Sequence, residues 1–122
     1  MSNIDKIIKT ACFVGNIEVI DLMKRCRERH LVDLRRMVYS ICKDLLNLPY
    51  LHIAKHFGVN HATVIHHYKI HIDIMKYDRL YLDRYNAILE LVKADLGMVD
   101  AQELIEEIRK LKSDKLKNKI NF

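Results

Sequence analysis

The sequence predicts an all-α protein: a compact helical domain with a helix-turn-helix inside it and a C-terminal helical extension. Three observations predict this. Half of the 122 residues are hydrophobic, enough to bury a real core. Three glycines and one proline are too few for the tight turns of a β-sandwich or barrel. Apolar residues recur at helical spacing along most of the chain, with no strand signal, internal repeat or low-complexity stretch. The length is that of one domain.

Each element has a local reason. Ile4, Ile7, Ile8, Ala11 and Cys12 share one helical face, so residues 4–14 read as an amphipathic helix that Gly15-Asn16 ends. Val19, Ile20, Leu22 and Met23 make a short second helix. Residues 24–30 have no apolar period and read as a basic loop. Leu31, Leu34, Met37, Val38, Ile41, Cys42, Leu45 and Leu46 draw a core-facing stripe on a helix over 31–46. Pro49 closes that helix, because it disfavours helical geometry at Leu48, and suits the start of the next one. A short helix from Tyr50 to Phe57 stops at Gly58. A longer one opens near Asn60 or His61 and carries Val64, Ile65, Tyr68, Ile72 and Met75. Residues 78–96 continue as a helix. Asp100 and Glu103 have capping-box spacing for a last helix over 101–118, which ends in a lysine-rich tail. The expected organisation is a domain over 1–97 and an extension over 98–122, which either pairs two chains into a homodimer or caps the core.

Composition narrows the function. No apolar run approaches the ~20 residues that cross a bilayer, and the first residues have no secretory pattern. Cys12, Cys26 and Cys42 are odd in number and far apart, which fits a reducing cytoplasm better than a disulfide framework. The net charge is +5, but its distribution says more. Residues 24–76 hold ten Lys/Arg against four acids, and the rest of the chain holds eleven against twelve. All seven histidines fall between 30 and 71. A basic middle on a near-neutral frame points to a polyanion, of which nucleic acid is the commonest.

Within that basic middle, residues 50–68 carry a helix-turn-helix pattern. Ala54 is small where two helices touch, Gly58 sits at the corner, and Ile53, Phe57, Val59 and Val64 fill the wedge. The second helix then opens with Asn60, His61, Ala62 and Thr63, short side chains that reach base edges in a major groove.

These residues resemble the C-terminal DNA-binding domain of the bacterial replication initiator DnaA. The matching stretches are Arg35-Arg36-Met37 with Lys43-Asp44-Leu45, Ile53-Ala54-Lys55-His56-Phe57-Gly58, and His61-Ala62-Thr63-Val64-Ile65-His66. Upstream, Asp21-Leu22-Met23 and the loop arginines align without gaps, so the resemblance covers about residues 4–92. It implies double-stranded DNA as partner. Arg27 would enter the minor groove, with Arg25 and Arg29 beside it on the backbone. Arg35 and Lys43 would contact phosphates or base edges, and His61 and Thr63 would meet bases or phosphates. His66 and Lys69 would lie further along, near the groove wall. Arginine suits a narrow, negative minor groove, and donors at a helix start suit phosphate.

The chain also departs from the family pattern. Its turn, Gly58-Val59-Asn60-His61, is one residue shorter than Gly-Gly-Arg-Asp-His, with Asn60 nearest to the missing base-reading aspartate. Ala62 replaces a threonine, and His67 and Tyr68 replace small residues. These changes weigh against the family's usual target sequence. No GxxxxGK[ST] occurs, so no nucleotide is expected.

Other chemistry has thin support. His52/His56 and His67/His71 have the i, i+4 spacing of a metal pair, but no HExxH, cysteine pair or carboxylate completes a site, so neither metal nor cofactor is expected. No nucleophile–base grouping predicts an enzyme. Tyr77, Tyr81 and Tyr85 recur every four residues and read as packing against neighbouring helices. A stand-alone domain of this type, without the family's ATPase, fits a cytoplasmic, nucleoid-associated regulator of transcription or a replication-initiation accessory factor; a phage or mobile-element origin is also expected. The rival reading is a small helical adaptor that binds protein and has lost DNA contact.

Overall fold

A computed structural model of the chain describes residues 2–24 and 27–97, together with Arg109. Six helices follow one another among them: α1 (Asn3–Gly15), α2 (Val19–Met23), α3 (Arg29–Leu46), α4 (Tyr50–Phe57), α5 (His61–Tyr77) and α6 (Arg79–Asp95). The described residues contain no strand, so the all-α class is as expected. The expected helix over 101–118 and its Asp100 cap lie outside the described residues.

α3 is the axis of the molecule. Every residue from Arg36 to Cys42 is buried, because α1, α4, α5 and α6 all pack around it. A helix enclosed on several sides has no wholly polar face. The polar groups on this stretch are therefore satisfied locally: Ser40 Oγ donates to the Arg36 carbonyl at 2.8 Å, the back-bond available to a serine inside a helix. Ile7, Ile8 and Ala11 of α1, Leu22 of α2, Ile53 of α4, Val64 of α5, and Ile88 and Val92 of α6 complete the core.

The helix ends follow ordinary capping chemistry. Ser2 Oγ accepts from the Asp5 amide at 3.2 Å and opens α1. Asn16 and Asn47 close α1 and α3 in left-handed backbone, a conformation that asparagine tolerates. Asp78 serves two helices: its amide donates to the Ile74 carbonyl at the end of α5, and its side chain accepts from the Tyr81 amide at 3.1 Å to start α6.

Several boundaries and faces differ from the sequence expectation. Gly15 does not break α1; it is its last helical residue, and a Cβ there would stand 2.7 Å from Leu34 Cδ2. Its missing side chain lets α1 approach α3, and Asn16 makes the turn. α3 begins at Arg29, so Arg29 and His30 are helical and not part of the loop. Leu80, a large apolar residue in the first turn of α6, is 82% exposed. Of the three tyrosines read as packing residues, Tyr81 and Tyr85 are buried, whereas Tyr77 is 85% exposed.

Candidate nucleic-acid interface

α4 and α5 form the helix-turn-helix, with a three-residue connection. Gly58 ends α4 at φ +65°, left-handed backbone that a side chain makes costly. A Cβ at Gly58 would meet nothing within 4 Å, so the demand is conformational and not steric. Its amide and that of Val59 return to the Lys55 and Ala54 carbonyls. Ile53, Ala54 and Val64 are fully buried where the helices meet, while Phe57 and Val59 are half-buried at the outer edge.

The start of α5 is open. His61 and Ala62 are exposed and Thr63 half-buried, and His66 and Lys69 are exposed further along. Asn60 is the N-cap: its side-chain oxygen accepts from the Ala62 amide at 2.9 Å. The residue nearest to the family's aspartate therefore has its acceptor committed to the helix start.

Beside this opening lies a cleft. One wall is Met23, Lys24 and Arg27; the other is Asn60, Thr63 and His67. Between them the floor is largely apolar, from Leu22, Val32, Tyr39, Phe57 and Val59, with Arg35. Arg27 of the basic segment and Thr63 of the second helix thus face one space, although they are far apart in sequence.

The remaining residues singled out by the sequence are placed differently. Arg25 lies outside the described residues. Arg29 lines a separate groove with Asp33, Asp73 and Arg79, at the far end of α5. Arg35 is half-buried; its Nε donates to the Leu22 carbonyl at 2.6 Å and its Nη2 to the Lys24 carbonyl. It ties the end of α2 and the start of the basic segment to α3. Lys43 donates to the Leu48 carbonyl at 3.4 Å and sits 4.6 Å from the Tyr50 ring centroid. Both residues hold chain segments in place.

Behind the cleft lies a polar layer. The Arg36 guanidinium pairs with Asp33 Oδ1 at 2.9 Å and its Nε donates to His67 Nδ1 at 3.3 Å. Burial, together with Arg36 and other nearby cationic groups, pulls His67 down to about 4, so the ring is neutral at pH 7. Further along α5, buried His71 hydrogen-bonds through Nδ1 to the Tyr81 hydroxyl at 2.8 Å, and burial pulls it down to about 4 as well. Asp44 of α3 accepts from Tyr68 and, at 3.2 Å, from Tyr85. The bond to Asp44, with burial, raises Tyr68 to about 12.

The histidine pairs with metal spacing are divided between other tasks. His56 meets Asp5 Oδ1 at 3.1 Å and links α4 to α1, while His52 is exposed. Among the described residues no group of three His, Cys, Asp or Glu is placed to hold a metal. Cys12 and Cys42 are buried, and burial raises them to about 11 and about 12, so both are protonated thiols at neutral pH. No helix among the described residues is long and apolar enough to cross a membrane.

The family model described as the bacterial DnaA protein helix-turn-helix matches residues 4–70, more than half of the 122-residue chain. The chain belongs to that family. The DnaA-type match runs from α1 into α5 and takes in the cleft and both its walls. It stops before α6, yet Tyr81, Tyr85, Ile88 and Val92 of α6 are buried in the same core. The folded unit of this DnaA-type domain therefore extends past the matched segment. Among the polar residues of the two cleft walls, Lys24 and His67 were not singled out as DNA contacts from the sequence. For His67 the signal was its helical register, because residues 60, 63 and 67 share one face.

Proposed function

We propose that this domain binds double-stranded DNA with sequence preference. The opening turn of α5 enters the major groove, and the basic segment around Arg27 enters the adjacent minor groove. One observation carries the reading: Lys24 and Arg27 form one wall of a cleft whose other wall is the exposed start of α5. Two groove-reading elements on opposite sides of a cleft suit the sugar-phosphate strand that separates a major from a minor groove. Membership of a DnaA helix-turn-helix family supports the same partner.

Within this reading His61, Ala62 and Thr63 face base edges, and His66 and Lys69 lie along the groove wall. Arg35 and Lys43 act through the segments they hold, and Asn60 fixes the start of α5. Arg25 supplies charge next to Arg27, while Arg29 lines its separate groove. The domain is a binding module and not an enzyme, and it uses neither nucleotide nor metal. It serves as a cytoplasmic, nucleoid-associated factor in transcription or replication initiation. Residues 1–97 form the DNA-binding unit, and residues 98–122 an extension that either pairs two chains or caps the core.

Selection of bound sites from a random duplex library, followed by titration over a salt series, tests the reading. Enrichment of a defined site, and a log-log salt slope of several units, are expected. Arg27→Ala weakens binding by about 1–3 kcal/mol and lowers the slope by about one. Negligible binding to random and selected duplexes at low salt overturns the reading and returns the protein-binding adaptor in its place.

A further inference from the structure

His67 stands where the cleft meets the buried polar layer. Its Nδ1 faces inward and accepts from Arg36 Nε at 3.3 Å, and Arg36 is itself buried. A guanidinium only donates, so the imidazole nitrogen it faces carries the lone pair. The single proton of the neutral ring is therefore on Nε2, on the other side of the ring. No buried side-chain nitrogen or oxygen among the described residues lacks a partner, and the hydrogen bond to Arg36 accounts for Nδ1 alone. Nε2 is thus open to solvent, and the ring lines the cleft. Tyr39 packs against it with centroids 5.7 Å apart, which restricts its rotation.

Resting on the DNA-binding reading above, we propose that His67 is a binding residue of the cleft. It is a neutral donor of fixed tautomer whose Nε2–H bonds a phosphate oxygen of the strand seated between the two walls. Lys24 and Arg27 opposite bring the strand in by charge. His67 adds direction without charge, because burial, and then Arg36 behind it, opposes protonation. Arg36 is the positioning residue: Asp33 holds its guanidinium, and it holds the ring.

The test uses the full chain and a duplex recovered by selection. A neutral donor displaces no counterion, so His67→Leu weakens binding about tenfold at every salt concentration and leaves the log-log slope unchanged. His67→Gln restores most of that loss, since its carboxamide oxygen can accept from Arg36 while its N–H reaches the cleft. The untouched protein gives an independent readout. Nitrogen-15 spectra of its histidines show His67 as the Nε2–H tautomer at neutral pH, and this resonance moves on addition of DNA. The proposal falls if the ring is an imidazolium or the Nδ1–H tautomer, or if its signals stay still at saturation. It falls equally if His67→Leu binds as tightly as the parent or lowers the slope by a full unit. Absence of any duplex binding by the parent would instead overturn the functional reading, while the tautomer of the free protein would still report the geometry.

Discussion

At the scale of single residues, function and stability share a few polar side chains. His71 is buried and its pKa is pulled down to about 4, against about 6.5 in an unfolded chain. Between those values the unfolded chain binds the extra proton, so stability is full above about pH 6.5 and declines as pH falls towards 4. A tenfold difference in proton affinity is worth about 1.4 kcal/mol, so this residue alone removes about 2–3 kcal/mol by about pH 4. Denaturant midpoints measured from pH 7 to pH 4 should show the decline. His71→Phe should lessen it and leave the part due to His67, while costing about 1 kcal/mol at pH 7 for the bond lost from Tyr81. Arg35 gives a second test. Arg35→Met frees the Leu22 and Lys24 carbonyls, so the basic segment loses its tether. DNA affinity should fall about tenfold or more in a fluorescence-anisotropy titration. Because the side chain lost is mainly a tether, affinity should fall proportionately more than the salt slope does.

At the scale of elements, the corner between α4 and α5 is the sensitive point. Gly58→Ala adds a methyl group that meets nothing, so its cost is the left-handed backbone alone, about 1 kcal/mol. Gly58→Asn should cost less, because asparagine visits that conformation. Thermal melts of the two variants, ranked in that order, check the reasoning; equal losses would point to a hidden clash. Most elements were legible in the sequence, since periodicity and capping residues are local properties. α2 and α4 were placed to the residue, and the six-helix order followed. What depends on neighbours was not legible. The apolar stripe of α3 did not announce that Arg36, Tyr39 and Ser40 would be buried too, because that follows from how many helices surround it. Nor did the apolar character of Leu80 show that no described element covers it. At the site, the exposed start of α5 could be read from short polar residues after a glycine corner. The backbone duties of Arg35 and Lys43 could not, because each depends on where a carbonyl from outside its own helix comes to rest.

At the scale of the whole molecule, the boundary of the folded unit is testable. α6 contributes Ile88 and Val92 to the core, so a chain ending at Gly97 should melt cooperatively and bind duplex. One ending at residue 70 should not fold, because Tyr81, Tyr85, Ile88 and Val92 are then missing beside α1 and α5. Circular dichroism and a mobility shift on the two truncations decide this.

α5 is held from its middle onward, where Tyr68 and His71 meet partners on α3 and α6, and at its start only Val64 is buried while His61 and Ala62 stand exposed. It is a pointer fixed in a vice. From His71 back to Thr63 is about 12 Å of helix at 1.5 Å per residue. A tilt of about five degrees at the grip therefore swings the tip by about 1 Å, a third of a hydrogen-bond length. On the proposed DNA-binding reading, aim at the bases would be set by tyrosines outside the cleft opening, and changes in α6 should surface as altered choice of target before they surface as loss of fold.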